Sequence, residues 1–150
     1  MTSYRERVYQ ILTGRDHSAW ELRTKLVQKG CPAEEATQLT AEAVNCGLVD
    51  DERFACALVR SKISQGWGRQ RIKLELRRRG LADDVAAQAL EQYSEELSGE
   101  GELERAAAIA KRRVHGPADV PKVMRYLVSR GFSLSSASRA LAPYRGDDVF

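Results

Sequence analysis

Few residues in this 150-residue chain could do covalent or metal chemistry: two histidines, three cysteines and scattered carboxylates. His17 stands in RDHSAWEL between Asp16 and Ser18, the three residue types of a hydrolytic triad. A triad needs side chains converging from separate parts of a fold, which consecutive residues cannot supply, and Ser18 has another use as a helix cap. Cys31, Cys46 and Cys56 are odd in number, show no C-x-x-C spacing and have only His17 and His115 as nitrogen co-ligands, so they support neither a disulfide framework nor a zinc site. They read as small buried apolar residues of a reducing compartment. No P-loop and no G-x-G-x-x-G after a strand is present, and DDERF at 50–54 reads as the acidic first turn of a helix. The chain is expected to be non-enzymatic, with no cofactor and no metal.

What remains is positive charge, unevenly placed. The whole chain is only +3, yet SQGWGRQRIKLELRRRG at 64–80 holds six basic residues between Arg69 and Arg79. Residues 60–79 carry eight basic residues against Glu75 alone, and residues 105–139 carry eight against Asp119 alone. On a helical wheel Ile72 and Leu76 share the core side. Glu75 lies three or four residues from Arg71, Arg78 and Arg79, which gives those arginines an acidic neighbour. Arg69, Lys73 and Arg77 form a separate stripe at i, i+4, i+8 with no acid beside it. A second set comprises Lys111, Arg112, Arg113, Lys122 and Arg125. Two such patches predict a polyanionic partner, either nucleic-acid phosphates or an acidic protein surface. Trp67, between Gly66 and Gly68, is expected to pack at a helix entrance; the competing use is stacking on a base.

The elements that must position these patches show themselves as a repeat. ELRTKLVQKGC, RIKLELRRRGL and KVMRYLVSRGF align on Gly30, Gly80 and Gly131, each with a leucine four residues before the glycine and a basic residue immediately before it. Ser18, Gly68 and Asp119, twelve residues before the glycines, are all acceptable N-caps, and Ser18 with Glu21 forms a capping box. Small or apolar residues follow at fixed offsets: Ala36 and Leu39, Ala86 and Ala89, Ala137 and Ala140. Each unit therefore reads as helix, capped turn, helix, glycine turn, helix, with Lys29, Arg79 and Arg130 ending the middle helices. Strand signals are scattered. The expectation is an all-α chain of three tandem three-helix repeats, 1–48, 49–98 and 99–150, in an elongated, curved array. SEELSGEGELER at 94–105, acidic and holding two glycines, reads as a flexible connection between the second and third units. A DNA-reading helix-turn-helix is disfavoured in the first two units, because the helix after each glycine turn is acidic: Glu34, Glu35 and Glu42 in one, Asp83, Asp84 and Glu91 in the other. No apolar run is long enough to span a bilayer and the start turns amphipathic at once, so a cytoplasmic monomer without a membrane partner is expected.

RDHSAWELRTKL, GLVDDERFA, GWGRQRIKLELRRRGL and RYLVSRGF, in that order, resemble the RecX family of RecA regulators over about 120 residues. The resemblance implies tandem three-helix repeats lying in the groove of a RecA filament on single-stranded DNA. It also implies limits on filament extension, ATP hydrolysis and strand exchange, in recombination and the SOS response, with single-stranded DNA as a secondary ligand. The alternative reading is a helical protein that acts by coating DNA phosphates. The chain departs from the family pattern at Gln65, where a basic residue is common, and at Arg69, where proline is common.

Overall fold

A computed structural model describes residues 2–146. Among these residues there is no strand, and ten α-helices follow one another along the chain. They are α1 (Tyr4–Gly14), α2 (Ala19–Gln28), α3 (Ala33–Asn45), α4 (Asp51–Ser64), α5 (Arg69–Arg78), α6 (Asp83–Gln92), α7 (Ser94–Leu97), α8 (Gly99–Arg113), α9 (Val120–Ser129) and α10 (Leu134–Leu141). Their apolar faces gather into three separate cores. Val8, Leu22, Leu26, Ala36 and Leu39 close the first; Phe54, Val59, Ile72, Leu76, Ala86, Leu90 and Leu97 the second; Ala106, Ile109, Val123, Leu127, Ala137 and Leu141 the third. A compact chain of this length exposes roughly 7,700 Å². This one exposes 9205 Å², the excess that follows from lining up small cores instead of merging them.

The three middle helices, α2, α5 and α9, end in the same way. Gly30, Gly80 and Gly131 take φ of 98°, 76° and 99°, a region closed to side chains by the carbonyl beside Cβ. The next residue turns back and donates its N–H to a carbonyl in the last turn: Cys31 to Leu26 (3.0 Å), Leu81 to Leu76 (3.3 Å) and Phe132 to Leu127 (3.1 Å). Cys31, Leu81 and Phe132 are thereby buried. The repeated glycine, the basic residue before it and the apolar residue after it are one physical device.

That device also joins the bundles. The end of α5 sits on the start of α2, where the Ser18 hydroxyl donates to the Arg79 carbonyl and the Asp51 carboxylate accepts from the Ala19 N–H at 2.9 Å. The end of α9 sits on the start of α5 in the same fashion: the N–H of Gly68 donates to the Arg130 carbonyl (2.7 Å) and that of Gln70 to the Gly131 carbonyl (3.1 Å). Orphan acceptors of one helix meet orphan donors of another. Backbones approach so closely that a methyl group on Gly68 would overlap the Gly131 carbonyl, and one on Gly131 would lie 2.5 Å from the Arg71 nitrogen. Gly68 thus replaces the serine of the first unit because nothing larger fits.

Several details differ from the sequence reading. Residues 94–105 are not a flexible connection but α7 and the start of α8. Leu97 fills the second core, and Gly101 has no room for a side chain against the Glu95 carbonyl. Glu102 is 8% exposed and accepts from the Ser133 N–H (3.1 Å) and the Ser136 hydroxyl (2.9 Å), tying α8 to the start of α10. Asp119 does not cap α9: its carboxylate accepts from the His115 N–H at 2.8 Å, and a 3-10 turn, Pro117–Asp119, leads into the helix. Of the cysteines only Cys31 is buried; Cys46 is exposed because it caps α3 beyond the last core-facing residue, Ala43.

The first seam carries a titratable group. His17 is 3% exposed, with Nδ1 2.9 Å from the Arg15 carbonyl and Nε2 2.6 Å from the Lys25 ammonium, so the ring is neutral, donating to the carbonyl and accepting from lysine. Burial pushes its pKa down, and the Arg15 and Lys25 charges add to the effect. The unfolded chain therefore takes up this proton first, and stability should fall as pH drops below about 6.5. Urea midpoints between about pH 7 and 5 should show that slope, and His17→Gln should flatten it. Burial raises the Glu21 carboxyl, but bonds from Arg15 and the Ser18 N–H outweigh it and leave the pKa lowered, so its contribution is full above the ordinary carboxylate value and is lost as pH falls from there through the lowered one. At the second seam, Gly131→Ala should cost about 1–3 kcal/mol more in chemical denaturation than Gly47→Ala. Gly47 has the same sign of φ (82°) but open space around it, so that substitution reports backbone strain of about 1–2 kcal/mol alone.

Candidate partner-binding surfaces

Ile72 and Leu76, both fully buried, lay α5 on the second core and so decide which of its cations face outward. Arg69, Lys73 and Arg77 line an open groove of about 260 Å³ against α6, with Ala86, Ala87 and Leu90 as its floor. The predicted stripe is thus brought together. Its freedom from acids is not: Arg77 pairs with Asp83 at 3.8 Å, because the Gly80 turn folds the acidic first turn of α6 back beside the last turn of α5. Glu75, 8% exposed, holds Arg79 (2.9 Å) and Arg78 (3.6 Å) as its spacing implied. Arg71 goes elsewhere, its guanidinium lying 3.8 Å from the Trp67 ring centre, with the Lys62 ammonium 4.4 Å from the same ring. Trp67 packs against the second core under these two cations, which favours its structural use.

Leu74, 61% exposed, sits on the outward side of α5 between these cations. Helical periodicity places it opposite Ile72 and Leu76, a signal that a count of basic residues does not contain. An apolar side chain held out in a ring of basic ones is the make-up of a protein-contact anchor.

The second cationic surface is concave. The last turn of α8, the connection after it and the outward side of α9 enclose a cleft of about 630 Å³, and Arg112, Arg113, Lys122 and Arg125 all line it. Lys111 is exposed but stands outside the lining. The Arg113 guanidinium stacks 3.5 Å from the Tyr126 ring centre. Among the described residues none of the four cations has a carboxylate within 4.0 Å, and Asp119, in the wall, is already bonded to His115. Basic residues at the end of α8 also favour the negative pole of its dipole.

One basic residue counted in that region serves the fold. Arg105 reaches from α8 across the second seam, donating to the carbonyls of Ile63 (3.1 Å) and Trp67 while lying over the Phe132 ring at 5.3 Å. Burial lowers its pKa from the ordinary arginine value, opposed by the charges of Glu102 and Glu96. Its alignment gave no sign of this, since the equivalent residues are Phe54 and Tyr4. Among the described residues no cluster of histidine, cysteine and carboxylate could hold a metal, and no helix is long and apolar enough to cross a membrane.

Comparison with known proteins places this architecture. Two family models match, described as the first three-helix domain of RecX over residues 5–39 and the second over residues 50–90. A protein named regulatory protein RecX from Chromohalobacter salexigens is 35% identical over 92% of this chain and 90% of its own length. One of the same name from Halorhodospira halophila is 33% identical over 96% and 89%. A crystal structure of RecX from Lactobacillus salivarius superposes with a TM-score of 0.75 at 22% identity, covering 94% of each chain.

Arg105→Met should destabilise the protein by about 2–4 kcal/mol in chemical denaturation, because it strips charged donors from two carbonyls at the seam. Arg112→Met, an exposed cation in the same helix, should stay within about 0.5 kcal/mol of the parent.

Proposed function

The chain belongs to the RecX family of regulatory proteins, and on that premise we propose that it binds RecA filaments on single-stranded DNA and limits their extension, ATP hydrolysis and strand exchange. The units are taken as 1–48, 49–98 and 99–150, each holding one core. The observation that carries this reading is the pair of cationic surfaces on the second and third bundles, joined by a seam that includes two backbone hydrogen bonds. A ligand presenting two contact surfaces at a fixed separation engages neighbouring subunits of a polymer with avidity. It also perturbs the spacing on which their cooperative turnover depends. The α5 face supplies the contact to protein, through Leu74 with Lys73, Arg77 and Arg78 around it. Single-stranded DNA is the secondary ligand, and no cofactor takes part.

The second reading, a protein that acts by coating DNA phosphates, draws its support from the α8–α9 cleft, where four cations outnumber the one carboxylate, Asp119. The two readings separate by salt. Inhibition of RecA that survives a salt concentration abolishing direct DNA binding belongs to the first.

Substoichiometric protein added to RecA on single-stranded DNA should depress ATP hydrolysis and shorten filaments; an unchanged rate and length would sink the proposal. Arg69→Glu/Lys73→Glu/Arg77→Glu, and separately Leu74→Ser, should raise the concentration giving half-inhibition by about tenfold, a loss of roughly 1.4 kcal/mol. Neither should alter the melting temperature by more than a few degrees, since the changed side chains line an outward face.

A further inference from the structure

We propose that the cleft between α8 and α9 is a phosphodiester-binding site, and that the two cationic surfaces divide their labour: the cleft holds a nucleic-acid backbone while the α5 face holds protein. The assignment deepens the DNA limb of the proposed function and rests on it.

Three features of the cleft select this ligand class. Arg112, Lys122 and Arg125 line it from two helices and, among the described residues, have no carboxylate within 4.0 Å, whereas on α5 Arg77 and Arg78 are each paired. Fixed cations in excess of local counter-charge, here four in the lining against the one carboxylate of Asp119, hold condensed anions from solution, and a phosphate chain displaces them with a gain in entropy. Next, none of the large exposed apolar residues lines the cleft. Its aromatic ring, Tyr126, is covered by the Arg113 guanidinium at 3.5 Å, so it orients a donor instead of offering a face to a base or an apolar partner. Protein interfaces are built on exposed apolar or aromatic anchors, as at Leu74, while nucleic-acid interfaces are more polar and more positive. Finally, Arg112 lines a second groove as well, of about 240 Å³, running along Ile63, Gln65 and Gly66 at the seam between the second and third bundles. Arg112 thus stands where the cleft adjoins a groove that leads along the molecule, giving an extended ligand a path that a single bound anion does not need. With the ring covered, the contacts fall on phosphates and binding should not depend on base sequence.

The test measures binding of a fluorescent thymidine oligonucleotide by anisotropy across a potassium chloride series. Arg112→Gln/Arg125→Gln should make the log–log salt slope shallower by about 1.4, two contacts at about 0.7 each for a single strand. Lys29→Gln/Arg53→Gln removes the same charge from exposed sites elsewhere and should leave the slope unchanged. A duplex arm identifies the source of the phosphates: loss confined to the duplex would overturn the single-strand assignment. An unchanged slope in the cleft variant overturns the proposal. If that variant also fails to slow ATP hydrolysis by RecA, the cleft takes an acidic protein surface and the regulator reading stands without it. A shallower slope in the cleft variant, with a parent protein that has no effect on RecA, would keep the cleft and remove the regulator reading.

Discussion

Everything in this structure depends on one contact: the carbonyl end of a middle helix seated on the amide end of the middle helix before it. Helix termini ordinarily spend their unmatched groups on water or on side-chain caps. Here Arg130 and Gly131 supply acceptors to Gly68 and Gln70, and the Arg79 carbonyl takes the Ser18 hydroxyl. Because the partners are mostly backbone atoms, the geometry leaves little play. Three cores too small to stand firmly alone thereby become one body with surfaces at set distances.

The positive charge is sorted by the same packing. Arg79, Arg105 and Arg130 end helices or clamp seams; Arg71 and Arg113 cover aromatic rings. The cations left over after these structural uses, together with Arg113 held on its ring, fall in two places of different character. The α5 face mixes cations, acids and an exposed leucine, whereas the α8–α9 cleft gathers four cations from two helices and none of the large exposed apolar residues. A count of basic residues treats the two as equivalent patches, but their surroundings make them suited to different ligands.

The repeat was legible because it rests on short-range rules. A glycine with its flanking basic and apolar residues, a capping box and small residues at fixed offsets are all local, and each of the six small or apolar positions picked out after the glycine turns is buried. The family resemblance agrees with the matched domains and the superposed structure. The errors arose where long-range contact overrode local chemistry. Gly99 and Gly101 carry linker composition, yet the second belongs to a tight helix-to-helix approach that only the folded chain reveals. Asp119 is a good N-cap by type, but the turn before it recruits its carboxylate. Arg77 has no acid near it along the helix, and the acid arrives from the next helix. Arg105 could not be found by alignment at all, since its task exists only at one seam.

The start of α9 has a consequence for how such an array can grow. The position that in α5 donates from Gln70 is Pro121, which has no N–H, and the position of Gly68 is Asp119, whose bulk and bonded carboxylate fill the seat a glycine turn would need. Duplicating one more unit behind the third would therefore bring a helix end to a place that offers it neither room nor donors. The joint is therefore directional, and the start of α9 does not offer it again.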